Sequence, residues 1–524
     1  MPLTLTELLV QQRSSSTALI DGERRISYGE LEEASRRLAT GLSAHGIGSG
    51  DRLGVMLANV PAWPELLFAC ARIGAIVVAI NTRFGSTEVG DIIGRSGCRA
   101  LVLGRAYKGV DFEEVVAAAK PENLSSVKLV VSHGPRAQPP RALFPGRTTI
   151  ACEELLQHPP TVADHAGPET PCCIFTTSGT TSLPKFVLHK QAALVTHAQA
   201  AAQAFGYEEA ETVTLQATPF CGIYGFSQAL ATLAAGRPVV LLHAFDAAEA
   251  VRLIEAHRVT QFNGTDEMLR QMLAAAESGN PFASLRFFGC ALFGPAAADI
   301  VTEAESRGVH VRGLYGMSET QALLTLQPEE FELAERMQGG GIPVSREVEI
   351  RARDPNTGQL LAHGQAGEVE IRSPGLMVEY FHDPQSTTDV FTADGYLRTG
   401  DLGFTRPAGG FVFQSRMGDV LRLGGYLVSP REIEEHLNRH AGVASSQVVG
   451  VRIERKIRAV AFVKMQPGAP FTESFLVEHC KQALAVFKVP LRIFPVEEFP
   501  TTEGPNGRKV QKHHLRELAQ RWCS

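Results

Sequence analysis

Strand-like and helix-like segments alternate through the early part of this chain, and that rhythm limits the folds open to it. Arg52 to Leu57 reads as a short strand, Ala62 to Ile73 as a helix and Ala75 to Ile80 as a buried strand. Ala100 to Leu103 and Leu129 to Ser132 read as further strands. Alternation of this kind favours parallel sheets with helices packed on their faces. Ser27-Tyr28-Gly29-Glu30 is a capping box, in which a hydroxyl and a carboxylate satisfy the first free amides of a helix. Leu31, Ala34, Leu38 and Leu42 continue that helix at its natural spacing, and Gly46 stops it.

The rhythm changes near Glu347. Val348 and Ile350, then Val369 and Ile371, alternate with polar residues on either side of a turn at Asp354-Pro355-Asn356-Thr357-Gly358. Period-two patterning of this kind predicts a β-rich subdomain over 343–416. The last hundred or so residues read as a separate small α/β unit. Ser429 is expected to cap a helix with Pro430 at its first position, and Val448 to Val451 and Val460 to Val463 read as strands.

A chain of 524 residues holds two to four domains at roughly 100–200 residues each. A formal net charge of −6 argues against a nucleic-acid binder, which needs a basic face. Nine cysteines without a Cys-x-x-Cys pair suit free, mostly buried thiols in a reducing cytoplasm. Residues Met1 to Ser16 lack a basic region followed by an apolar core, so no signal peptide is expected. The apolar run from Cys70 to Ile80 is interrupted by Arg72 and is too short for a bilayer span, which takes about 20 residues.

The chemistry is concentrated in Thr176-Thr177-Ser178-Gly179-Thr180-Thr181-Ser182-Leu183-Pro184-Lys185, which follows a short apolar strand, Cys173 to Phe175. Hydroxyls and a glycine amide on such a loop can wrap phosphate oxygens, and a lysine at its end can neutralise them. It is not a Walker loop, because no Gly-Lys-Ser/Thr opens a helix.

Thr177 to Lys185 resembles the phosphate loop of the adenylate-forming enzymes: acyl- and aryl-CoA synthetases, luciferases and peptide-synthetase adenylation domains. Further blocks follow in the family's order. They are Tyr315-Gly316-Met317-Ser318-Glu319-Thr320, Tyr396-Leu397-Arg398-Thr399-Gly400-Asp401, and Arg416-Met417-Gly418-Asp419 with Gly424-Gly425 and Pro430 to Glu434. Phe487 to Pro490 and Gly507 to Lys512 match the final blocks, so the resemblance covers essentially the whole chain.

The resemblance implies an α/β fold. Residues 1–416 would form an adenylation region of two α/β sheet subdomains plus the β-rich subdomain, and 417–524 a small mobile α+β domain. It implies an ATP-dependent carboxylic acid–CoA ligase that forms an acyl-adenylate and then a thioester, with ATP, Mg²⁺ and coenzyme A as its cofactor and co-substrates. Attack of a carboxylate on the α-phosphate pushes two anions together, so cations and donors must stand where charge develops. By resemblance, Thr177, Ser178, Gly179, Thr180, Thr181 and Lys185 cradle the phosphates, Ser318 donates to the α-phosphate where the family usually has Thr, and Glu319 holds Mg²⁺. Tyr315, beside Gly316, stacks on adenine, and Gly289, Cys290 and Ala291 wall its other face. Asp401 accepts the ribose hydroxyls with Arg416 beside it, and Lys509 bridges the acyl carboxylate and α-phosphate. Read alone, Lys509 is a solvated cation in a charge-rich tail, and only its place after the other blocks gives it this role. Gly418 is the expected hinge, and Gly424 and Gly425 face the tunnel for the CoA arm.

Departures from the family pattern bear on the acid. Phe186 and Ser182 replace frequent glycines around the phosphate loop, and either could stiffen it. Gly222, in Phe220-Cys221-Gly222, stands where many CoA synthetases have a His, and its small size removes a bulky wall. Asn263 and Gly264 are expected to open the acyl pocket further, with Gly313 and Met317 completing its lining. The expected substrate is therefore an aryl, alicyclic or polycyclic acid, terpenoid- or steroid-like. Asp266 reads as an N-cap, and His189 and His197 as packing or helix-surface residues. Transfer of the acyl group to a separate carrier protein is the alternative within the same chemistry, and a non-catalytic nucleotide-binding protein the alternative outside it. The expected partners are small molecules, without nucleic acid or a membrane span, and with a homodimer left open.

Overall fold

A computed structural model describes residues 3–105, 109–134, 143–160, 164–177, 184–276, 281–291, 297–423, 426–453, 456–504 and 507–523. Six strands of its first sheet run parallel, in the order Pro171–Thr176, Ile76–Ala79, Arg52–Met56, Ala100–Gly104, Leu129–His133, Thr148–Ala151. Antiparallel Phe186–Lys190 and Glu379–Tyr380 extend one edge. The helix Ala62–Ile73 is buried on all sides, which explains its near-continuous apolar sequence. The capping box at Ser27 and Glu30 forms, and Gly46 adopts a left-handed φ of 78° just beyond the helix Tyr28–Ala44.

A second sheet of thirteen strands begins as the β-rich region and ends as an α/β layer. Its antiparallel part is Glu349–Arg353, Gly367–Arg372, Leu397–Thr405, Phe411–Arg416, Gly340–Pro343 and Thr325–Leu326. Its parallel part runs Val311–Tyr315, Phe287–Ala291, Gln261–Thr265, Thr214–Gln216, Val239–Leu241 and Thr17–Asp21. Antiparallel Arg24–Ser27 closes its far edge. Alternating side chains of the β-rich part, including Val348, Val369 and Ile371, meet Tyr315 and Phe411 in one apolar cluster.

Beyond Arg416 lie the hairpin Leu421–Leu423/Tyr426–Val428, a three-stranded sheet of Val443–Ile453, Lys456–Met465 and Arg492–Pro495, and the hairpin Thr501–Gly504/Gly507–Val510. Two apolar clusters serve this part, one around Leu421, Ile433 and Val463, the other around Val449, Phe462 and Leu515. Among the described residues, neither draws on a side chain from before Arg416.

Two expected helix caps differ. Ser429 is the N-cap of Pro430–Asn438 in backbone terms, but its hydroxyl makes no capping bond, and the Glu432 amide donates to the Ser429 carbonyl at 3.1 Å instead. The helix Asp266–Ala275 is capped by Thr265, whose hydroxyl accepts from the Met268 amide at 3.3 Å, and Asp266 is its first residue. Among the described residues, no helix is long and apolar enough to cross a membrane.

Candidate active site

The strand Pro171–Thr176 delivers Thr177 to the end of the first sheet, and the chain returns along Phe186–Lys190. The two flanks of the loop are clasped. The Thr177 amide donates to the Lys185 carbonyl at 3.0 Å, and the Lys185 amide to Thr177 Oγ1 at 3.1 Å. Ser178, Gly179, Thr180 and Thr181 between them lie outside the described residues. The Phe186 ring is buried, with the Arg95 guanidinium 4.3 Å from its centroid. Arg95 also donates to the Pro184 carbonyl at 2.9 Å, which braces the loop's exit.

The second sheet supplies the facing wall at the end of Val311–Tyr315. Ser318–Thr320 forms a single tight turn there, and a Cβ on Gly316 would lie 1.3 Å from the Ala322 carbonyl oxygen, so only glycine fits. Gln321 and Ala322, each with φ of 61°, sit in the left-handed region that side chains other than glycine seldom adopt. Gln321 Nε2 steadies them by donating to Ala193 O at 3.0 Å and Gly375 O at 2.7 Å. This turn places Glu319, which is buried, with Oε1 accepting from the Tyr380 hydroxyl at 2.7 Å. Lys185 Nζ stands 4.5 Å from the centroid of that same Tyr380 ring.

Ser318 is held by a residue expected only to pack. His189 Nε2 lies 2.9 Å from the Ser318 carbonyl oxygen and donates to it. Burial pushes His189 and His197 down to about 4, so both rings are neutral near pH 7.

Tyr315, Asp401 and Arg416 meet across the strand pair Leu397–Thr405 and Phe411–Arg416, where Asp401 and Arg416 are register partners. The Tyr315 hydroxyl donates to Asp401 Oδ2 at 2.5 Å, and Arg416 Nε stands 3.1 Å from Oδ1. That second approach is an ion pair without good hydrogen-bond alignment, so Oδ1 keeps an unused lone pair although Asp401 is 1 % exposed. Burial pushes the Asp401 carboxyl up to about 6, against the pull of Arg416 and Tyr315. At neutral pH the group is mostly carboxylate, and an anion with spare acceptor capacity suits hydroxyls of an incoming sugar. Tyr315 packs between Phe411 and Phe413, with ring centroids at 4.9 and 5.7 Å.

Gly289, Cys290 and Ala291 form the adjoining strand, where a Cβ on Gly289 would fall 2.0 Å from Asn263 Oδ1. Asn263 is buried and donates to the Tyr207 hydroxyl at 3.0 Å, while its Oδ1 lacks a partner. The Tyr224 hydroxyl ties the neighbouring strands through Gly264 O at 3.1 Å and Gly289 O at 3.2 Å. Phe220 is stacked 5.5 Å from Trp63, Cys221 is buried, and Gly222 starts the buried helix Ile223–Ala234.

Two pocket expectations need correcting. A Cβ on Gly264 would lie 2.8 Å from the Phe288 ring, and one on Gly313 would lie 2.4 Å from the Gln338 carbonyl oxygen. Both glycines permit close packing of protein on protein and do not leave room for an acid. Met317 is half-buried beside Tyr315.

Gly418 sits in the turn Met417–Asp419 with nothing within 4 Å of where its Cβ would be. Its carbonyl accepts from Arg516 Nη2 at 2.9 Å, and the same nitrogen pairs with Asp419 Oδ1 at 2.6 Å. Gly424 and Gly425 lie outside the described residues. Lys509 belongs to the strand Gly507–Val510, in register with Thr502, but its side chain is outside the described part.

No group of three or more His, Cys, Asp or Glu side chains poised for a metal occurs among the described residues. A lone buried carboxylate such as Glu319 fits Mg²⁺, which arrives with phosphate and water oxygens already around it. Sequence reading missed Tyr380 and His189 as parts of this arrangement. Neither lies in one of the recognisable blocks, and nothing in their local pattern marks them.

Comparison with known proteins supplies independent evidence. Residues 7–381 match the model for AMP-binding enzyme, and residues 432–504 that for the AMP-binding enzyme C-terminal domain. The chain is 30% identical over 522 residues, 97% of each chain, to 3-[(3aS,4S,7aS)-7a-methyl-1,5-dioxo-octahydro-1H-inden-4-yl]propanoyl:CoA ligase of Mycobacterium tuberculosis. It is 29% identical to a fatty acid–[acyl-carrier-protein] ligase, ScoC, of Streptomyces coeruleorubidus, over 98% of this chain and 95% of that one. The crystal structure of ATP-bound MatB from Rhodopseudomonas palustris superposes with a TM-score of 0.85 at 25% identity, covering 99% of both chains.

Proposed function

The chain belongs to the AMP-binding enzyme family and is an acid–thiol ligase, an acyl- or aryl-CoA synthetase using ATP, Mg²⁺ and CoA; from that premise we propose that its acid is bulky, with an aryl, alicyclic or polycyclic body. The observation that carries the reading is Gly222, placed at the start of a buried helix where a His would add a wall. Similarity along 97% of the chain to a ligase named for a bicyclic propanoyl group points the same way. Such a ring system is steroid-like in its carbon skeleton.

In this reading the loop from Thr177 to Lys185 receives the phosphates, and Ser318 donates to the α-phosphate. Asp401 accepts the ribose hydroxyls, with Tyr315 and Arg416 fixing its two oxygens. Glu319 would hold Mg²⁺, which supplies charge neutralisation at the phosphates when bound. Lys509 neutralises the two anions as the acyl carboxylate attacks phosphorus and pyrophosphate leaves. Acyl-AMP then replaces a poor leaving group, hydroxide, by AMP, and the thiolate of CoA displaces it.

We further propose a domain boundary at 416/417. The unit 417–524 has apolar clusters of its own and is joined through Gly418, where there is room to rotate. One pose presents Lys509 for adenylation, and the other presents Gly424 and Gly425 to the CoA arm. The unpaired cysteines suit a reducing, cytoplasmic setting. Transfer to a carrier protein is the second reading, favoured by similarity to the carrier-protein ligase.

The deciding experiment is a pyrophosphate-release screen over linear, aromatic and polycyclic acids, with free CoA or holo-carrier protein as acceptor and mass detection of the thioester. The reading expects the highest kcat/KM with a ring-bearing acid and CoA. Preference for short linear acids would overturn the substrate class, and product only with carrier protein would overturn the acceptor.

A further inference from the structure

We propose that Tyr380 is a positioning residue of the active site: its phenol aims the Glu319 carboxylate, and its ring keeps Lys185 from pairing with that carboxylate. The inference rests on the phosphate and metal roles proposed for these two residues.

Tyr380 stands between the two charges. Its hydroxyl donates to Glu319 Oε1 at 2.7 Å, and Lys185 Nζ lies 4.5 Å from its ring centroid. A phenol ordinarily titrates near 10, so the hydroxyl is a proton donor at neutral pH. A lysine over a tyrosine face is held by the ring quadrupole without losing its charge to an anion. Lys185 also feels the Asp383 carboxylate, and without the ring its flexible side chain would be free to swing onto Glu319 and pair with it. That pair would occupy the cation meant for phosphate and the oxygen meant for Mg²⁺.

The backbone fixes where the ring goes. Glu379 and Tyr380 pair with Leu188 and Val187 on the strand that leaves the phosphate loop. Val378 N donates to Leu188 O and Phe381 N to Phe186 O, each at 2.8 Å. Met377 N donates to the Glu319 carbonyl at 2.9 Å, and Tyr380 N to Thr387 Oγ1 at 2.9 Å. The segment Met377 to Phe381 is thus bonded both to the strand that leaves the phosphate loop and to the acidic turn of the other sheet. The ring is 5 % exposed, packed with Val187, Met377 and Leu397.

The test is calorimetric binding of ATP to the full chain over a series of Mg²⁺ concentrations, with thermal melts as a folding control. Groups that orient a metal's ligand typically change metal affinity about 10–100-fold when removed. Tyr380→Phe keeps the ring and loses the hydroxyl. It should raise the Mg²⁺ needed for half-maximal ATP affinity about tenfold, leave Mg²⁺-free ATP affinity within about twofold, and barely move the melting temperature. Tyr380→Leu should lose about tenfold in Mg²⁺-free ATP affinity as well, by letting Lys185 pair with Glu319. In Tyr380→Phe/Glu319→Gln, the Mg²⁺ requirement should match that of Glu319→Gln alone. An unchanged requirement in Tyr380→Phe, or losses that multiply in the double variant, overturns the Tyr380 role while ATP binding by the parent keeps the broader reading intact. Failure of the parent to bind ATP at any Mg²⁺ concentration overturns both.

Discussion

Around Tyr315 the polar groups come from segments far apart in sequence and bind one another across a buried strand pair, whereas the side chain that holds the Gly418 carbonyl, Arg516, comes from its own side of the chain. Asp401 meets Tyr315 from 86 residues away, and Arg416 lies in register beside it. At Gly418 the carbonyl is held by Arg516, and open space surrounds the Cβ position. The first arrangement is rigid because moving any member leaves a buried charge unpaired. Under the proposed hinge the second would turn, since the unit it joins has apolar clusters of its own. In the proposed reading, preorganisation and rotation belong to different parts of one molecule.

The largest effect expected comes from joining the two regions' work. Lys509→Ala should lower acid-dependent pyrophosphate exchange about 10²–10³-fold, the usual loss when one group stabilising developing charge is removed. Thioester formation from supplied acyl-AMP should fall only a few-fold. Equal loss in both half-reactions would show that Lys509 does not serve the adenylation pose alone.

Next is the rigid corner. Asp401 titrates near 6 when folded, above the ordinary aspartate value. Between about pH 4 and 6 the folded protein therefore holds a proton that the unfolded chain has lost, and this group's contribution to stability declines as pH rises through that window. Nucleotide binding runs the opposite way, since hydroxyls need the carboxylate. ATP affinity should fall about tenfold from pH 7 to pH 5, and calorimetry on Asp401→Asn should find weaker binding with that slope gone. A parallel pH slope in the variant would assign the titration elsewhere.

Gly418→Pro sharpens the other side. Proline fixes φ near −65° and removes a donor, so it should trap one pose. The two half-reactions, assayed separately, should then differ by about tenfold more than in the parent. Equal losses with an unchanged melting curve would argue against rotation at this residue. The smallest effect expected is from Arg516→Ala, which frees the Gly418 carbonyl and Asp419. A partly exposed pair contributes at most about 1 kcal/mol. The ratio of half-reaction rates should shift two- to fivefold, if the contact belongs to one pose only.

Much of this site was legible along the chain, because adenylation chemistry demands particular residue types on short, punctuated loops. Thr177, Lys185, Ser318, Glu319 and Arg416 fall in such loops or strand ends, while Asp401 lies mid-strand in Leu397–Thr405 and Lys509 within Gly507–Val510. The helix Ala62–Ile73 and the strand Arg52–Met56 were legible too, from apolar spacing alone. Gly264 was misread, since a small residue can mean empty space or close packing, and only the Phe288 ring beside it decides which. Asp266 was misread because two polar residues in a row, Thr265 and Asp266, can both cap a helix, and the backbone chose the first.

By itself the sequence determined the proposed chemistry: a loop for phosphate, an acid for a cation, an acid for a sugar and a lysine on a tail beyond the proposed hinge. Spacing along the chain suffices for these, since each is local. Tertiary structure alone decided how they meet. Tyr380 reaches Glu319 across 61 residues and lies under Lys185 across 195, and His189 reaches Ser318 across 129. Such contacts depend on how two sheets approach each other, and a linear pattern of hydrophobic and polar residues carries no record of that distance.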